Sequence, residues 1–280
     1  MALRTARISA RIRRVIHVQD FHKNYDRTIA VAGLTFDVQP GQILGLLGPN
    51  GAGKTTTMRA ICGITPATQG RLIVAGHDVA SAPVEAKRNL AYVPDDPKLF
   101  DALTVAEHLE FTAAAYDVRD YKPHAEQLMA QFELVEQRGK LAQELSRGMR
   151  QKVAICCAYL HLPRAILVDE PLTGLDPRGI RTMNQSLRDQ ASRGAAVIIS
   201  SHLLALVEGL CTHLLILHRG RSLYFGPADS ALAAFEVSGT DTTLEEVFFR
   251  ITENDGQNDL SIPRESPVAT DPASLPASRP

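Results

Sequence analysis

Alternating apolar and polar positions predict two strands near the start of the chain. Residues 15–18 and 34–38 alternate in this way, as half-buried β-strands do. The second run ends at Pro40-Gly41, a dipeptide that is typical of a turn. A continuous apolar run at 43–47 then favours a short buried strand, and a helix is expected to begin near Lys54.

The middle of the chain, residues 97–160, has mainly helical patterns. Thr104 and Glu107 have the spacing of a capping box, with the threonine at the N-cap and the glutamate three residues later. Buried-strand character returns at 165–168 and 196–200. Strands on both sides of a helical segment indicate an α/β core that carries a helical subdomain. The predicted helices of this segment cover 105–116, 123–132 and 147–159.

The two ends of the chain differ in composition from its middle. Residues 1–14 contain five arginines and no acid, so a disordered basic extension is predicted; a surface for acidic lipid or a partner is the alternative. This segment lacks the apolar core of a secretory signal. Residues 251–280 contain several prolines and no aromatic side chain, which predicts a disordered tail. One ordered domain is therefore expected at 15–250.

Overall composition is that of a globular protein and limits the partners. Of 280 residues, 45% are apolar and 22% are charged, which is enough apolar material for a large core. The net charge of -1 gives no support for a nucleic-acid partner. Polar residues interrupt the most apolar region, 195–217, so another chain would have to cross any membrane involved. Four cysteines without zinc-site spacing are expected to be buried thiols in a reducing cytosol: Cys62, Cys156, Cys157 and Cys211.

A glycine-rich segment carries the first chemistry that the sequence predicts. Residues 48–55 match the phosphate-binding (Walker A) pattern G-x-x-x-x-G-K-[ST] in full, between a predicted strand and a predicted helix. Its glycines let successive N–H groups point inward, beside the positive end of the helix. Lys54 is expected to reach the β- and γ-phosphates of ATP, and the Thr55 hydroxyl to bind Mg²⁺. The predicted nucleotide contacts are Gly48, Pro49, Asn50, Gly51, Ala52, Gly53, Lys54, Thr55 and Thr56.

Two acids end the apolar strand at 165–168. Asp169, at the strand tip, is suited to the Mg²⁺ shell, usually through water, and Glu170 is predicted to polarise the attacking water. Without other motifs, a strand that ends at the solvent would explain this pair equally well. Behind a complete phosphate-binding loop, the pair predicts hydrolysis of the nucleotide.

Further motifs give the chain a resemblance to a known family. Residues 145–149 (Leu-Ser-Arg-Gly-Met) resemble the signature motif of ABC ATPases, which is usually Leu-Ser-Gly-Gly-Gln. Residues 174–176 (Gly-Leu-Asp) resemble the D-loop of this family, and residues 200–202 (Ser-Ser-His) resemble its switch-histidine segment. The resemblance covers about 15–250. It implies a P-loop NTPase core with a mixed, RecA-like sheet, an antiparallel β-subdomain and an inserted α-helical signature subdomain at about 97–160.

The resemblance also implies roles for single residues. Ser146 precedes a predicted helix, whose N-terminal end binds anions; in the family this end, with Gly148, serves the ATP of a partner subunit. Asp176 of the D-loop is expected at the nucleotide as well, and His202 is expected to hydrogen-bond the γ-phosphate. Tyr25 resembles the aromatic residue that stacks on adenine. The alternatives are a satisfied buried histidine and an ordinary half-buried strand aromatic.

Three positions depart from the family pattern. Asp95 stands where the family has the glutamine of its Q-loop. A carboxylate there is a candidate Mg²⁺ ligand, but it repels γ-phosphate oxygens more than an amide does, so action through water or a hinge role are alternatives. Arg147 and Met149 stand where glycine and glutamine are usual in the signature. Because the catalytic acids and Ser146 are intact, an active ATPase is expected.

The resemblance extends to one branch of the family. Residues 243–248 (Thr-Leu-Glu-Glu-Val-Phe) resemble a segment near the end of drug- and antibiotic-exporter ATPases, although a short amphipathic helix on the core is an alternative. The form of the signature at 147–151 is also similar to that branch. The chain is therefore expected to be the ATPase subunit of an ABC-2 type exporter. Its expected partners are a second ATPase subunit, preferably its own copy, and a separate transmembrane permease at the cytoplasmic face of the cell membrane.

Two other functions are alternatives. One is the ATPase subunit of an ABC importer, which a solute-binding protein would stimulate. The other is a soluble ABC ATPase that acts on ribosomes or DNA. Such proteins usually have two fused cassettes or long coiled-coil insertions, whereas this chain has one phosphate-binding loop and no heptad stretch.

Overall fold

Two β-sheets and a group of helices form the described part of the chain. The structure is a computed structural model that describes residues 14–173, 175–202 and 209–231. Several sequence predictions lie outside the described residues. These are the extension before Arg14, Gly174 of the D-loop, the segment at 243–248 and the tail at 251–280.

The smaller sheet is antiparallel and has the strand order β2-β1-β4-β5. Its strands are β1 (Ile16–Tyr25), β2 (Thr28–Val38), β4 (Gln69–Val74) and β5 (His77–Asp78). The strands predicted at 15–18 and 34–38 are therefore parts of two longer strands. Register shifts between Val18 and Phe21 and between Lys23 and Asn24 interrupt the alternation, because each bulge adds an unpaired residue. The apolar pattern consequently stops before the strand does.

The larger sheet is mixed, with the strand order β10-β9-β3-β8-β7-β6. β3 (Ile43–Leu47) lies between β8 (Ala196–Ser201) and β9 (His213–His218) and is parallel to both. All residues of β3 and β7 are buried, as continuous apolar runs in covered parallel strands require. This sheet and the antiparallel one confirm the predicted α/β class. The other strands of the larger sheet are β6 (Leu90–Val93), β7 (Ala165–Asp169) and β10 (Arg221–Pro227).

The helical segment lies between β6 and β7, as predicted, and its three helices agree with the predicted ranges within a residue or two. The capping box forms: the Glu107 N–H donates to Thr104 Oγ1 at 3.2 Å, and the Thr104 N–H donates to Glu107 Oε2 at 2.7 Å. The helices of the described residues are α1 (Lys54–Ile61), α2 (Pro83–Arg88), α3 (Val105–Ala115), α4 (Lys122–Gln131), α5 (Arg147–Leu160) and α6 (Pro177–Ser192). Short 3-10 helices lie at Val135–Gln137, Ala142–Glu144 and Ala228–Ser230.

The core has two parts, one on each face of the larger sheet. Ile43 and Leu47 of β3 pack with the helical segment and α6, whereas Leu44 and Leu46 pack with the antiparallel sheet and α1. Because both faces of β3 are covered, the loop that follows this strand starts from a fixed point. Of the four cysteines, all free, only Cys157 is half-buried rather than buried. Within the described ranges, no helix has the length and apolar character to cross a membrane.

Candidate nucleotide-binding site

The glycine-rich loop joins β3 to α1, the strand–loop–helix context that its motif requires. Gly53 has a φ of 103°, and a Cβ there would lie 2.7 Å from the carbonyl oxygen of Ala30. A Cβ on Gly48 would lie 2.5 Å from the carbonyl oxygen of Leu217. Only glycine fits such close backbone approaches. The loop is therefore held against β2 and β9 by contacts that a side chain would break.

A cavity of about 280 Å³ opens beside this loop. Its walls combine the loop, the start of α1, the two acids at the end of β7 and Asp95. The structure thus brings together residues that are far apart in sequence. Every loop residue predicted to contact nucleotide lines the cavity except Gly48, and Ala30 of β2 is an additional wall residue. The lining residues are Ala30, Pro49, Asn50, Gly51, Ala52, Gly53, Lys54, Thr55, Thr56, Asp95, Asp169 and Glu170.

Lys54 provides the positive charge of the cavity. Its buried Nζ donates to the Gly48 carbonyl at 2.7 Å and to the Pro49 carbonyl at 3.4 Å, and it lies 3.8 Å from Glu170 Oε1. Burial lowers the pKa of Lys54, while the charges of Glu170 and Asp169 oppose that shift. A partly desolvated ammonium at the start of a helix attracts phosphate more strongly than an exposed one.

The two acids are held by a hydroxyl on the neighbouring strand. Ser200 of β8 donates a hydrogen bond to Asp169 Oδ1 and accepts one from the Glu170 N–H at 3.0 Å. The Tyr92 hydroxyl donates to Asp169 Oδ2 at 3.3 Å. Burial, and then the charge of Asp169, raise the pKa of this tyrosine, which therefore keeps its proton. Asp169 is thus fixed at the tip of β7 with both carboxylate oxygens partnered.

Glu170 adopts an unusual backbone conformation. Its φ is +48°, in the left-handed region that residues other than glycine seldom occupy. The conformation turns the chain immediately after β7, and the Glu170 side chain lines the cavity with Lys54. Strain of this kind concentrates at functional sites, where the surrounding contacts maintain it.

His202 contacts the second of these acids. Its Nδ1 lies 2.9 Å from Glu170 Oε2, so Glu170 bridges Lys54 and His202. The imidazole is 44% exposed, which is inconsistent with the alternative of a buried structural histidine. In this structure His202 therefore orients Glu170, and its predicted contact with a γ-phosphate stays a prediction.

Besides Gly48 and His202, four predicted nucleotide contacts lie outside the lining of the cavity. Ser146 caps α5 by accepting from the Met149 N–H at 3.3 Å, and Gly148 lies in the first turn of that helix. Asp176 caps α6 by accepting from the Gly179 N–H at 2.8 Å. Tyr25 is exposed at the end of β1, with Lys23 Nζ 4.7 Å from its ring centroid. Their roles at a nucleotide stay predictions.

Sequence reasoning missed the supports of Asp169, namely Ser200 and Tyr92. Ser200 was assigned only to the switch-histidine segment, although a hydroxyl in an apolar buried strand is itself a signal of a buried polar contact. The register pairs Asp169 with Ser200 across β7 and β8, and pairing of this kind follows from the sheet order rather than from either segment alone.

The donor set of the cavity suits Mg²⁺. Thr55, Asp169 and Asp95 all line it and offer hard oxygen ligands. Among the described residues, no group of three or more His, Cys, Asp or Glu side chains is arranged to hold a metal ion. Mg²⁺ usually takes one or two protein oxygens and completes its shell with phosphate and water, so such a group is not needed.

Known proteins resemble this chain in sequence and in structure. A family model described as ABC transporter matches residues 31–173. The "ABC-type transporter ATP-binding protein EcsA" of Bacillus subtilis is 32% identical over 86% of this chain and 98% of its own length. The "Nod factor export ATP-binding protein I" of Burkholderia thailandensis is 35% identical over 75% of this chain and 70% of its own. A solved ATP-binding subunit of an ABC transporter superposes with a TM-score of 0.81 at 33% identity, covering 85% of this chain and 99% of that one.

The matched range contains most of the site. Residues 31–173 include the phosphate-binding loop, Asp95, the Ser146 segment and both acids. Tyr25, Asp176 and His202 lie outside it.

Substitution of Glu170 tests the chemistry of the cavity. In Glu170→Gln the amide keeps the size of the side chain but accepts no proton from water, so we expect hydrolysis of ATP to fall by about 10²–10⁴ while ATP binding is retained. Phosphate release and equilibrium binding measured on one preparation separate these effects. Glu133→Gln, a change to a carboxylate that pairs with Lys152 outside the cavity, is the matched control. Turnover of Glu170→Gln near that of the control would remove Glu170 from the catalytic role.

Proposed function

Because the chain belongs to the ABC transporter family, as an ATP-binding and ATP-hydrolysing subunit, we propose that it powers export through a separate transmembrane subunit at the cytoplasmic face of the membrane. The observation that carries the proposal is the cavity in which Lys54, Asp169 and Glu170 converge on the phosphate-binding loop. This cavity combines a buried lysine with the two acids at the end of β7, beside a glycine-rich loop.

In the proposed reaction, Lys54 exchanges its contacts with the loop carbonyls for phosphate oxygens. Thr55 and Asp169 are the residues that would hold Mg²⁺, which, when bound, supplies positive charge beside the transferred phosphoryl group. Glu170 accepts the proton of the attacking water, and His202 keeps its carboxylate in position. The bonds from Ser200 and Tyr92 keep Asp169 in place throughout.

The proposed dimer is based on a helix end that does not line the cavity of its own chain. The exposed capped end of α5, with Ser146 and Gly148, does not contribute to the cavity of its own chain. We therefore assign this helix end, and Asp176 at the start of α6, to the ATP of a second copy of the chain. ATP then stabilises the dimer over the monomer by mass action, and hydrolysis reopens it. Tyr25 is the proposed adenine contact, with one ring face covered by Lys23.

A second cavity supports contact with the transmembrane subunit. It also measures about 280 Å³, and its wall includes the exposed rings of Phe100 and Phe111, whose centroids lie 5.1 Å apart. Pro94 and Pro97, which flank Asp95, line this cavity while Asp95 lines the nucleotide cavity. We assign the exposed aromatic groove to a cytoplasmic segment of the transmembrane subunit, because the shared loop would transmit movement between the two sites.

Support for export comes from the relatives and the signature. One relative is described as a Nod factor export protein, and the arginine-rich signature at 147–151 is similar to that of exporter ATPases. The substrate is determined by the transmembrane subunit.

Membrane attachment tests the groove. When the chain is expressed with its transmembrane subunit, identified by co-purification, we expect the double variant Phe100→Asp, Phe111→Asp to leave the membrane fraction, since charge in the groove opposes an apolar partner. ATP hydrolysis by the released protein should persist. Phe225→Asp, which changes an exposed ring on β10, should remain attached. Full retention of the groove variant would contradict the assignment, and stimulation of the complex by a solute-binding protein would identify an importer.

Light scattering tests the dimer. We expect Glu170→Gln with Mg-ATP to shift from monomer to dimer, because slow hydrolysis preserves the closed state. Adding Ser146→Arg should abolish the shift, since a bulky cation at the end of α5 blocks the partner's phosphate. Adding Ser192→Arg instead should leave the shift intact, because Ser192 lies at the C-terminal end of α6, opposite to Asp176. Equal dimer content with and without Ser146→Arg would rule out this mode of pairing.

A further inference from the structure

Two of the three departures from the family pattern contact one another. Arg147 Nη2 donates to Asp95 Oδ1 at 2.8 Å, joining the start of α5 to the loop after β6. Asp95 also lines the nucleotide cavity, and Arg147 directly follows the capping residue Ser146. The pair therefore joins the wall of this chain's own ATP site to the helix end that we assign to the ATP of a second copy.

The loop that carries Asp95 is stiff. Pro94 and Pro97 enclose Asp95 and Asp96, and each proline fixes its own φ while restricting the residue before it. This short segment begins directly after β6, whose Val93 is buried in the core. Asp95 thus lies close to the end of a buried strand, and its half-exposed carboxylate is presented to Arg147 from there.

The start of α5 has an excess of positive charge. Its first turn contains Arg147 and Arg150 and no acidic residue, at the end where the helix dipole is already positive. Arg150 Nη1 donates to the Leu145 carbonyl at 2.8 Å, whereas Arg147 finds its carboxylate on a different part of the chain. Asp95 supplies negative charge to this helix end, and the neighbouring Asp96 also interacts electrostatically with Arg147 and Arg150.

The nucleotide cavity has an excess of negative charge. Its lining contains three carboxylates, those of Asp95, Asp169 and Glu170, and one cation, Lys54. Asp169 is held by hydroxyl donors, and Glu170 lies beside Lys54 and His202. Asp95 forms an ion pair with Arg147. An uncompensated carboxylate in this wall would repel the phosphates of ATP.

We propose that Arg147 is a positioning residue that neutralises Asp95 and so permits an aspartate in the wall of the ATP site. This inference rests on the proposed function. The usual family residues at the two positions, glutamine and glycine, carry no charge and need no such pairing. Here the arginine compensates for the charge of the aspartate, which is unfavourable in this wall without its partner. The same pair holds the start of α5 against the nucleotide-binding core.

A double-mutant cycle tests the pairing. The variants are Arg147→Gly, Asp95→Gln and the two together, and the readouts are the Kd for a fluorescent ATP analogue, and KM and kcat for ATP. We expect Arg147→Gly to weaken binding by about two- to five-fold, the size of effect that a half-exposed ion pair supports. The double variant, in which neither position is charged, should recover the affinity lost in Arg147→Gly, and Asp95→Gln should bind more tightly than Arg147→Gly.

Ionic strength separates charge compensation from a purely structural effect. In 1 M salt the Debye length falls to about 3 Å, so the binding defect of Arg147→Gly should disappear while a packing defect would persist. Arg147→Gly should also raise KM and Kd while leaving kcat unchanged.

The ion pair Arg138–Glu126 provides the matched control. Its side chains are 49% and 53% exposed, against 49% and 48% for Arg147 and Asp95, and neither lines the cavity. Arg138→Gly should leave Kd unchanged. The proposal is overturned if Arg147→Gly binds like the wild type, or if the double variant binds as weakly as Arg147→Gly. A wild-type protein that binds no ATP would overturn the proposed function itself, and this role with it.

Discussion

A buried ammonium group needs opposing charge and hydrogen bonds, and the nucleotide site of this chain is arranged around that need. Lys54 Nζ lies among the carbonyls of its own loop and beside Glu170, which offset the cost of removing a charge from water. The glycines make this possible, because only they allow the loop to pack against the backbone of β2 and β9. A polyphosphate provides stronger partners for the same cation, so the loop is prepared for one ligand chemistry.

The sheet brings the rest of the chemistry to this cation. β3, β7 and β8 are parallel neighbours, and their carboxyl ends meet at one edge, where ligands bind in open α/β sheets. The loop with Lys54 follows β3, the two acids end β7, and His202 follows β8. Apolar packing on both faces of the sheet fixes the three strands. The hydrogen bond from Ser200 to Asp169 therefore joins two side chains whose positions the sheet already determines.

The sequence alone was enough to predict the features that depend on a local pattern of residues. The phosphate-binding loop, the Thr104 capping box and the helical segment are encoded within a few consecutive residues, and the structure contains each of them. The lengths of β1 and β2 were not predictable, because bulges break the alternation. The contacts of Ser200 with Asp169 and of Arg147 with Asp95 join residues that only the folded chain brings together. Tyr25, Ser146 and Asp176 lie outside the cavity, so their contacts with a nucleotide stay predictions.

The central claim is that the cation of this loop binds the phosphates of ATP. Equilibrium binding of Mg-ATP to the wild type and to Lys54→Ala, at one ionic strength, measures it directly. Hydrogen bonds to a charged group contribute about 1.5–3 kcal/mol, so the affinity should fall by about ten- to a hundred-fold. Lys98→Ala, which removes an exposed lysine, should bind as the wild type does. If Lys54→Ala bound Mg-ATP as tightly as the wild type, the loop would not be the phosphate site and the account would be wrong.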